Sequence, residues 1–155
     1  MWYNSFMKDI VLTPITIDNI EVLNLTEYKV LSTEKRKMLV QDSEKGICGG
    51  EFFRFYLIKK GKTTVGVINM YGHGEEEISV APEIFEIYRN KGFATKSLNL
   101  AYAIAKENGF NTVIAGIRKE NIASRKLHEK LGFSFVEEFI STNGNSMEKY
   151  SKKIY

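Results

Sequence analysis

The chain has 155 residues, 43% hydrophobic and 26% charged, a length and balance that suit one soluble globular domain spanning residues 1–155. Its net charge of +3 comes from basic residues scattered among acidic ones, which excludes the clustered basic stripe of a nucleic-acid binder. The lone cysteine, Cys48, excludes an internal disulfide framework, fits a reducing cytoplasm and has no partner cysteine for a metal site.

The N-terminal MWYNSFMKDIVL lacks the long apolar core of a signal peptide. No stretch reaches the roughly 18 apolar residues of a membrane span. A cytoplasmic protein with no membrane partner is expected. In chain order, IVLTPITI (10–17) reads as a strand, and Asp18 or Asn19 can cap a helix running to about Tyr28. Ser32 or Thr33 opens a second helix, TEKRKMLVQDSEK, which Gly46, Gly49 and Gly50 end. In FFRFYLIKKGKTTVGVINMY (52–71), aromatic and β-branched runs flank Lys60-Gly61-Lys62 and predict a hairpin. EEEISVAPEIF (75–85) alternates Ile78, Val80, Pro82 and Ile84 on one face, a third strand in which Pro82 predicts a bulge or a lost ladder bond.

ATKSLNLAYAIAKEN (94–108) is a helix with Ala94, Leu98, Ala101 and Ala105 on one face. TVIAGI (112–117) is a strand, and NIASRKLHEK (121–130) a helix capped by Asn121. Both helices end in glycine followed by phenylalanine, Gly109-Phe110 and Gly132-Phe133, the pattern of a Schellman stop. SFVEEFI (134–140) and MEKYSKKIY (147–155) read as strands joined at Asn143-Gly144. The order predicts an α/β (α+β) fold, a mixed sheet of about seven strands flanked by about four helices.

The segment RNKGFATKS (89–97) carries chemistry. It joins the third hairpin-region strand to the helix starting near Phe93 or Ala94. The first amides of a helix lack intrahelical acceptors and lie at the positive end of its dipole, where a phosphate satisfies both. Gly92 lets the backbone approach an anion closely, Arg89 and Lys91 add charge, and Thr95 and Ser97 add hydroxyls. By itself the segment reads first as a solvated loop with a helix-starting glycine. It is neither a Walker loop nor a dinucleotide fingerprint, since the further glycines those require are missing.

RxxGxA (Arg89 to Ala94), followed past a helix and a strand by NxxSxxLxxKLGF (Asn121 to Phe133), resembles the GNAT superfamily of acyl-CoA-dependent N-acetyltransferases. The element order is similar over nearly the whole chain, and the likeness is specific from Glu77 to Phe133. The resemblance implies a mostly antiparallel sheet that splays in the middle, between the strand before the loop and strand 112–117. It implies that Arg89, Asn90, Lys91, Gly92, Phe93 and Ala94, with Thr95 beside them, hold the pyrophosphate of acetyl-CoA. The pantetheine arm would pair with backbone near Pro82, Glu83 and Ile84, with Asn121 and Ser124 alongside. The family's V-x-P fits Val80-Ala81-Pro82 by letters and Ile84-Phe85-Glu86 by distance. The distance fit makes Ile84 the amide on the oxyanion side.

Acyl transfer needs a deprotonated amine, a donor to the tetrahedral oxyanion and an acid for the leaving thiolate. Where many family members carry a tyrosine as that acid, this chain has His128, which titrates in a useful range or is simply an exposed helix residue. A nearby tyrosine, Tyr102 or Tyr150, is the alternative. The family often carries a glutamate base on the strand before the loop. Glu77 matches best and Glu83 second, while a solvated acidic strand end remains the other reading. With Glu75 and Glu76 they would favour a cationic amine. His73 has no second ligand at metal-binding spacing, so no metal is expected. Cys48 has no identifiable basic partner and reads as a passive thiol. FFRFY reads as core, or with one face lining an acceptor pocket.

The implied activity is direct transfer of an acetyl group from acetyl-CoA to a primary amine, on a small molecule or on a protein N-terminus or lysine. A non-catalytic coenzyme A-binding or sensing module of the same fold is the alternative, and a nucleotide-phosphate binder a third. In this fold the acceptor pocket is built mainly from residues 18–50 and the last two strands, where no motif is readable. The sequence is compatible with a homodimer.

Overall fold

The computed structural model describes residues 9–154. Residues 1–8, which hold most of the stretch read as lacking a signal peptide, lie outside it, as does Tyr155 at the end of the last predicted strand.

Local chemistry sets the helices. Helix α1, Thr33–Lys45, starts where the Ser32 hydroxyl accepts the Lys35 N–H at 3.2 Å and stops at Gly46, in the left-handed region at φ 79°. Helices α2, Phe93–Glu107, and α3, Ile122–Lys130, both close with the Schellman pattern. The Phe110 N–H reaches the Ala105 carbonyl at 3.0 Å and the Phe133 N–H that of His128 at 2.9 Å. Gly109 and Gly132 supply the left-handed turn, and both phenylalanines are buried beyond it.

The helix expected between Asp18 and Tyr28 is instead two tighter 3-10 stretches, Ile17–Leu25 and Glu27–Val30. Short polar side chains there bond locally and compete with an α-helix. Asn19 Oδ1 accepts the Thr16 N–H at 2.7 Å. The buried Thr26 hydroxyl donates to the Leu23 carbonyl and accepts the Tyr28 N–H, breaking the run in two. The described residues hold three α-helices, and these 3-10 stretches take the fourth helical place.

The strands are β1 (Val11–Pro14), β2 (Ile47–Cys48), β3 (Glu51–Lys60), β4 (Thr63–His73), β5 (Glu77–Ile84), β6 (Thr112–Arg118), β7 (Ser134–Ile140) and β8 (Ser146–Lys153). They form one mixed sheet in the order β1-β3-β4-β5-β6-β8-β7, with β2 paired to β3. Only β5 and β6 run parallel. The eighth strand, beyond the seven expected, is the two-residue β2 in the glycine-rich turn after α1.

Strand alternation sorts the side chains onto two faces. Ile58, Ile68, Met70, Ile78 and Val113 pack with Ala101 and Ala105 of α2 on one. Phe55, Leu57 and Val67 pack with Val40 of α1 and with Ile15 and Leu23 on the other. FFRFY serves both cores, with Phe55 fully buried in the α1 core and Phe52 and Tyr56 against the α2 core.

Pro82 produces neither the bulge nor the lost ladder bond expected of it. It stands opposite Ile68 in unbroken register between β4 and β5. The Phe85 N–H donates to the Val65 carbonyl, so the bonded pairs fall on odd residues of β5. The ring nitrogen of Pro82 therefore faces away from β4, where no ladder bond is lost.

The sheet is open on that side. β5 and β6 pair only from Glu77–Thr112 to Ser79–Ile114. Beyond them β6 stays paired to β8 as far as Arg118, while β5 continues to Ile84 without a partner on its β6 side. By the same alternation the N–H groups of Val80 and Ile84 and the carbonyl of Pro82 point into the split.

Candidate active site

Three cavities surround the split. The first, about 510 Å³, lies at its wide end. Among the residues expected there, Pro82, Glu83, Ile84, Arg89, Asn90, Gly92, Phe93, Ala94 and Thr95 line it, whereas Lys91 is exposed and does not. After Ile84 the chain makes one 3-10 turn, Glu86–Tyr88, and Arg89 Nε donates back to the Ile84 carbonyl at 2.9 Å. Asn90 and Gly92 then take left-handed backbone, at φ 64° and 81°. Asparagine and glycine are the residues that do so at least cost. Gly92 is the N-cap of α2 and brings no capping side chain, and no acidic residue stands in the first turn. The first amides of α2 are left for an anion.

The second cavity, about 300 Å³, occupies the split itself under α2 and α3 and shares Pro82, Ala94 and Thr95 with the first. Its wall is mostly apolar, from Val80, Leu98, Val113, Leu127, Leu131 and Phe133, with Tyr102 and His128 as polar members. His128 Nδ1 lies 2.8 Å from the Ser124 carbonyl, and its ring packs edge-on against Phe133. A carbonyl only accepts, so Nδ1 carries a proton and Nε2 is the exchangeable nitrogen. Delivering a proton from Nε2 requires the imidazolium form. Of the two tyrosines, Tyr102 reaches the split, and burial pushes its hydroxyl pKa up. Tyr150 is buried, stacks edge-on with Phe135, and lies 3.5 Å from Glu148 through its hydroxyl.

The third cavity, about 600 Å³, opens on the opposite face of the sheet. It shares Ile114 and Ala115 with the second, so the two cavities adjoin at β6 beside the split. His73, Glu77, Ser79, Glu137 and Lys149 line it. Glu77 Oε1 is 3.4 Å from Lys149 Nζ. Glu83, farther along the same face of β5, accepts the Glu27 N–H at 3.3 Å.

Asn121 and Ser124 line none of these three cavities. Asn121 Oδ1 accepts the Ser124 N–H at 3.0 Å and caps α3. Residues between 18 and 50 also stay outside them. Tyr28, Lys35, Met38, Leu39, Asp42 and Cys48 instead form a separate hollow with Phe53. Burial and then the Asp42 carboxylate raise the Cys48 pKa, which disfavours the thiolate. Sequence reasoning missed Ser79 and gave His73 no role except a discounted metal site. Among the described residues no cluster of three or more His, Cys, Asp or Glu is placed to hold a metal, and no helix is long and apolar enough to cross a membrane.

Comparison with known proteins agrees with this architecture. The chain is 38% identical over 90 residues to the uncharacterized N-acetyltransferase YobR of Bacillus subtilis (strain 168), a match covering 56% of this chain and only 34% of that protein. Among solved structures, a chimera of the Vibrio cholerae spermidine N-acetyltransferase SpeG and hSSAT superposes with a TM-score of 0.74 at 15% identity, over 94% of this chain and 96% of that one. The ribosomal L7/L12 alpha-N-protein acetyltransferase RimL, in complex with coenzyme A, gives 0.74 at 17% identity over 95% of each chain. At those identities the likeness is one of fold. The family assignment comes from residues 17–134, which match the model of the acetyltransferase (GNAT) domain and enclose the split, its loop and both flanking helices: the chain belongs to the GNAT acetyltransferases.

Proposed function

We propose that the protein transfers an acetyl group directly from acetyl-CoA to a primary amine. The observation that carries this reading is the split between β5 and β6, with a cavity on each face of the sheet beside it and an uncapped helix N-terminus at one end. The amides of Phe93, Ala94 and Thr95 take the pyrophosphate, with Arg89 beside them and Gly92 leaving room. The pantetheine arm lies in the apolar second cavity and bonds the inward-facing backbone of Val80, Pro82 and Ile84. The thioester then meets the acceptor at the third cavity. The Val80 amide, the inward-facing N–H nearest the third cavity, is the donor to the oxyanion in place of Ile84, which lines the first cavity. Glu77 is the first carboxylate to weigh as base and Glu83 the second, and His128 is the acid that protonates the thiolate. Asn121 and Ser124 act through α3, by holding His128 in place. The RimL structure is described as a coenzyme A complex, which supports the donor class. Spermidine and a ribosomal protein N-terminus in the relatives' names support the amine.

The test is thiol release from acetyl-CoA over a panel of spermidine, simple alkylamines and a short peptide with a free N-terminus. Turnover on one of them well above hydrolysis is expected, and calorimetry should show acetyl-CoA preferred over ATP. Tight coenzyme binding without turnover on any amine would favour a sensing module instead. His128→Ala should lower kcat by about 10²-fold or more if His128 is the acid. An unchanged kcat across pH would return it to a packing role against Phe133.

A further inference from the structure

His73 Nε2 stands 3.0 Å from Ser79 Oγ, and both side chains line the third cavity. Ser79 is the last residue of β5 that pairs with β6, so its hydroxyl stands where the split begins to open. That hydroxyl has one proton and two acceptors in reach, His73 Nε2 and the Tyr71 carbonyl at 3.3 Å. Turned to the imidazole, it leaves its own lone pairs for an N–H arriving in the cavity. Glu77 is less well disposed. Its carboxylate is engaged by Lys149 at 3.4 Å, and it stands at the first β5–β6 pair, two positions from the opening. We infer that the His73–Ser79 pair, rather than Glu77, takes the proton from the acceptor amine. This rests on the acetyl-transfer reading.

The step balances as follows. The ammonium gives one proton to Ser79 Oγ as the hydroxyl passes its own to His73 Nε2, leaving a free amine and an imidazolium. The amine nitrogen attacks the thioester carbonyl, a C–N bond forms, and collapse of the tetrahedral intermediate breaks the C–S bond. His128 gives a proton to the departing sulfur and regains one as the acylated nitrogen loses its second proton. His73 is solvent-exposed and releases its proton to water. The products are an amide, a thiol and a proton. The groups around the pair are the Tyr71 ring, Glu77 across the hairpin, Glu137 of β7, and Lys149 and Lys153 of β8, with Glu75 and Glu76 in the hairpin turn and Glu51 of β3 on the Gly74 N–H beside it. The five carboxylates around the pair outnumber the two lysines, so the acceptor class is a cationic amine that brings no carboxylate of its own near the reacting nitrogen.

The experiment measures kcat/KM against pH for the wild type and for His73→Gln, Ser79→Ala and Glu77→Gln, using the best amine of the panel. The wild type should lose rate on acidification. His73→Gln should lose about 10²-fold near neutral pH, abolish the imidazole's part of that acid limb, and recover as alkaline pH supplies free amine. Ser79→Ala should show a smaller loss with the same recovery, and calorimetric affinity for acetyl-CoA should stay unchanged in both, which excludes misfolding. An unaltered profile in His73→Gln, a loss that alkaline pH does not repair, or transfer of the whole effect to Glu77→Gln would each overturn the inference. A wild type that binds acetyl-CoA yet acetylates no amine sinks the proposed function itself, and the inference with it.

Discussion

Gly92→Trp is expected to raise the Kd for acetyl-CoA by about tenfold or more, equivalent to about 1.4 kcal/mol. Gly92 holds left-handed backbone at φ 81°, and a Cβ built on it meets no atom within 4 Å. Gly92 also lines the first cavity. Any L-residue there costs about 1–2 kcal/mol in backbone strain. An indole additionally occupies the space left for the pyrophosphate. Gly92→Ala separates the two effects, because it carries the strain with almost none of the bulk. Calorimetric titration of both variants is the check. If tryptophan binds coenzyme as well as alanine does, the loop is not where the pyrophosphate sits.

Gly66→Ala should damage stability and coenzyme affinity together. Gly66 lies in β4 opposite Ile84, and a Cβ on it would come within 2.3 Å of the Glu83 carbonyl oxygen and 3.0 Å of Ile84 Cα. Both obstacles are backbone, so relief requires β5 to move. Its torsion is not what demands glycine here; the close approach of the neighbouring strand is. Overpacking of this kind typically costs about 1–3 kcal/mol. The segment displaced is Glu83–Ile84, where β5 leaves the sheet for the loop and where the Ile84 amide is proposed to meet the coenzyme arm. Denaturant unfolding and calorimetry should both register the change, with activity falling more than stability alone explains. Wild-type stability with wild-type binding would mean that β5 has slack at this point.

Much of the fold was legible because its signals are local. Ser32 as a cap, Gly109-Phe110 and Gly132-Phe133 as stops, and the hairpin at Gly61 each depend on a few neighbouring residues. The misreadings came from competition between local and tertiary terms. Thr26 and Asn19 spend their side chains on the backbone and turn an expected α-helix into 3-10 stretches. Pro82 looked disruptive in a strand, yet the register directs its nitrogen to the side that has no partner. The loop at Arg89–Ala94 was readable as a contiguous motif. The third cavity was not, because His73, Ser79, Glu137 and Lys149 come from four strands and meet only through pairing register. Strand parity held one usable signal, since residues 77, 79, 81 and 83 of β5 had to share the face opposite Ile78 and Val80.

Joined by so short a parallel ladder, β1–β5 and the β6-β8-β7 unit behave as two leaves of a book with the spine at Glu77–Ser79. The inner margin of the first leaf keeps amide protons that only solvent or a guest molecule can engage. Deuterium should therefore enter Val80 and Ile84 quickly in the free protein and slowly once acetyl-CoA is bound, while Val67 and Met70 in the middle of the first leaf change little. On the proposed acetyl-transfer reading, the donor substrate supplies the missing rungs of the ladder, and its departure after each turnover leaves the binding open for the next.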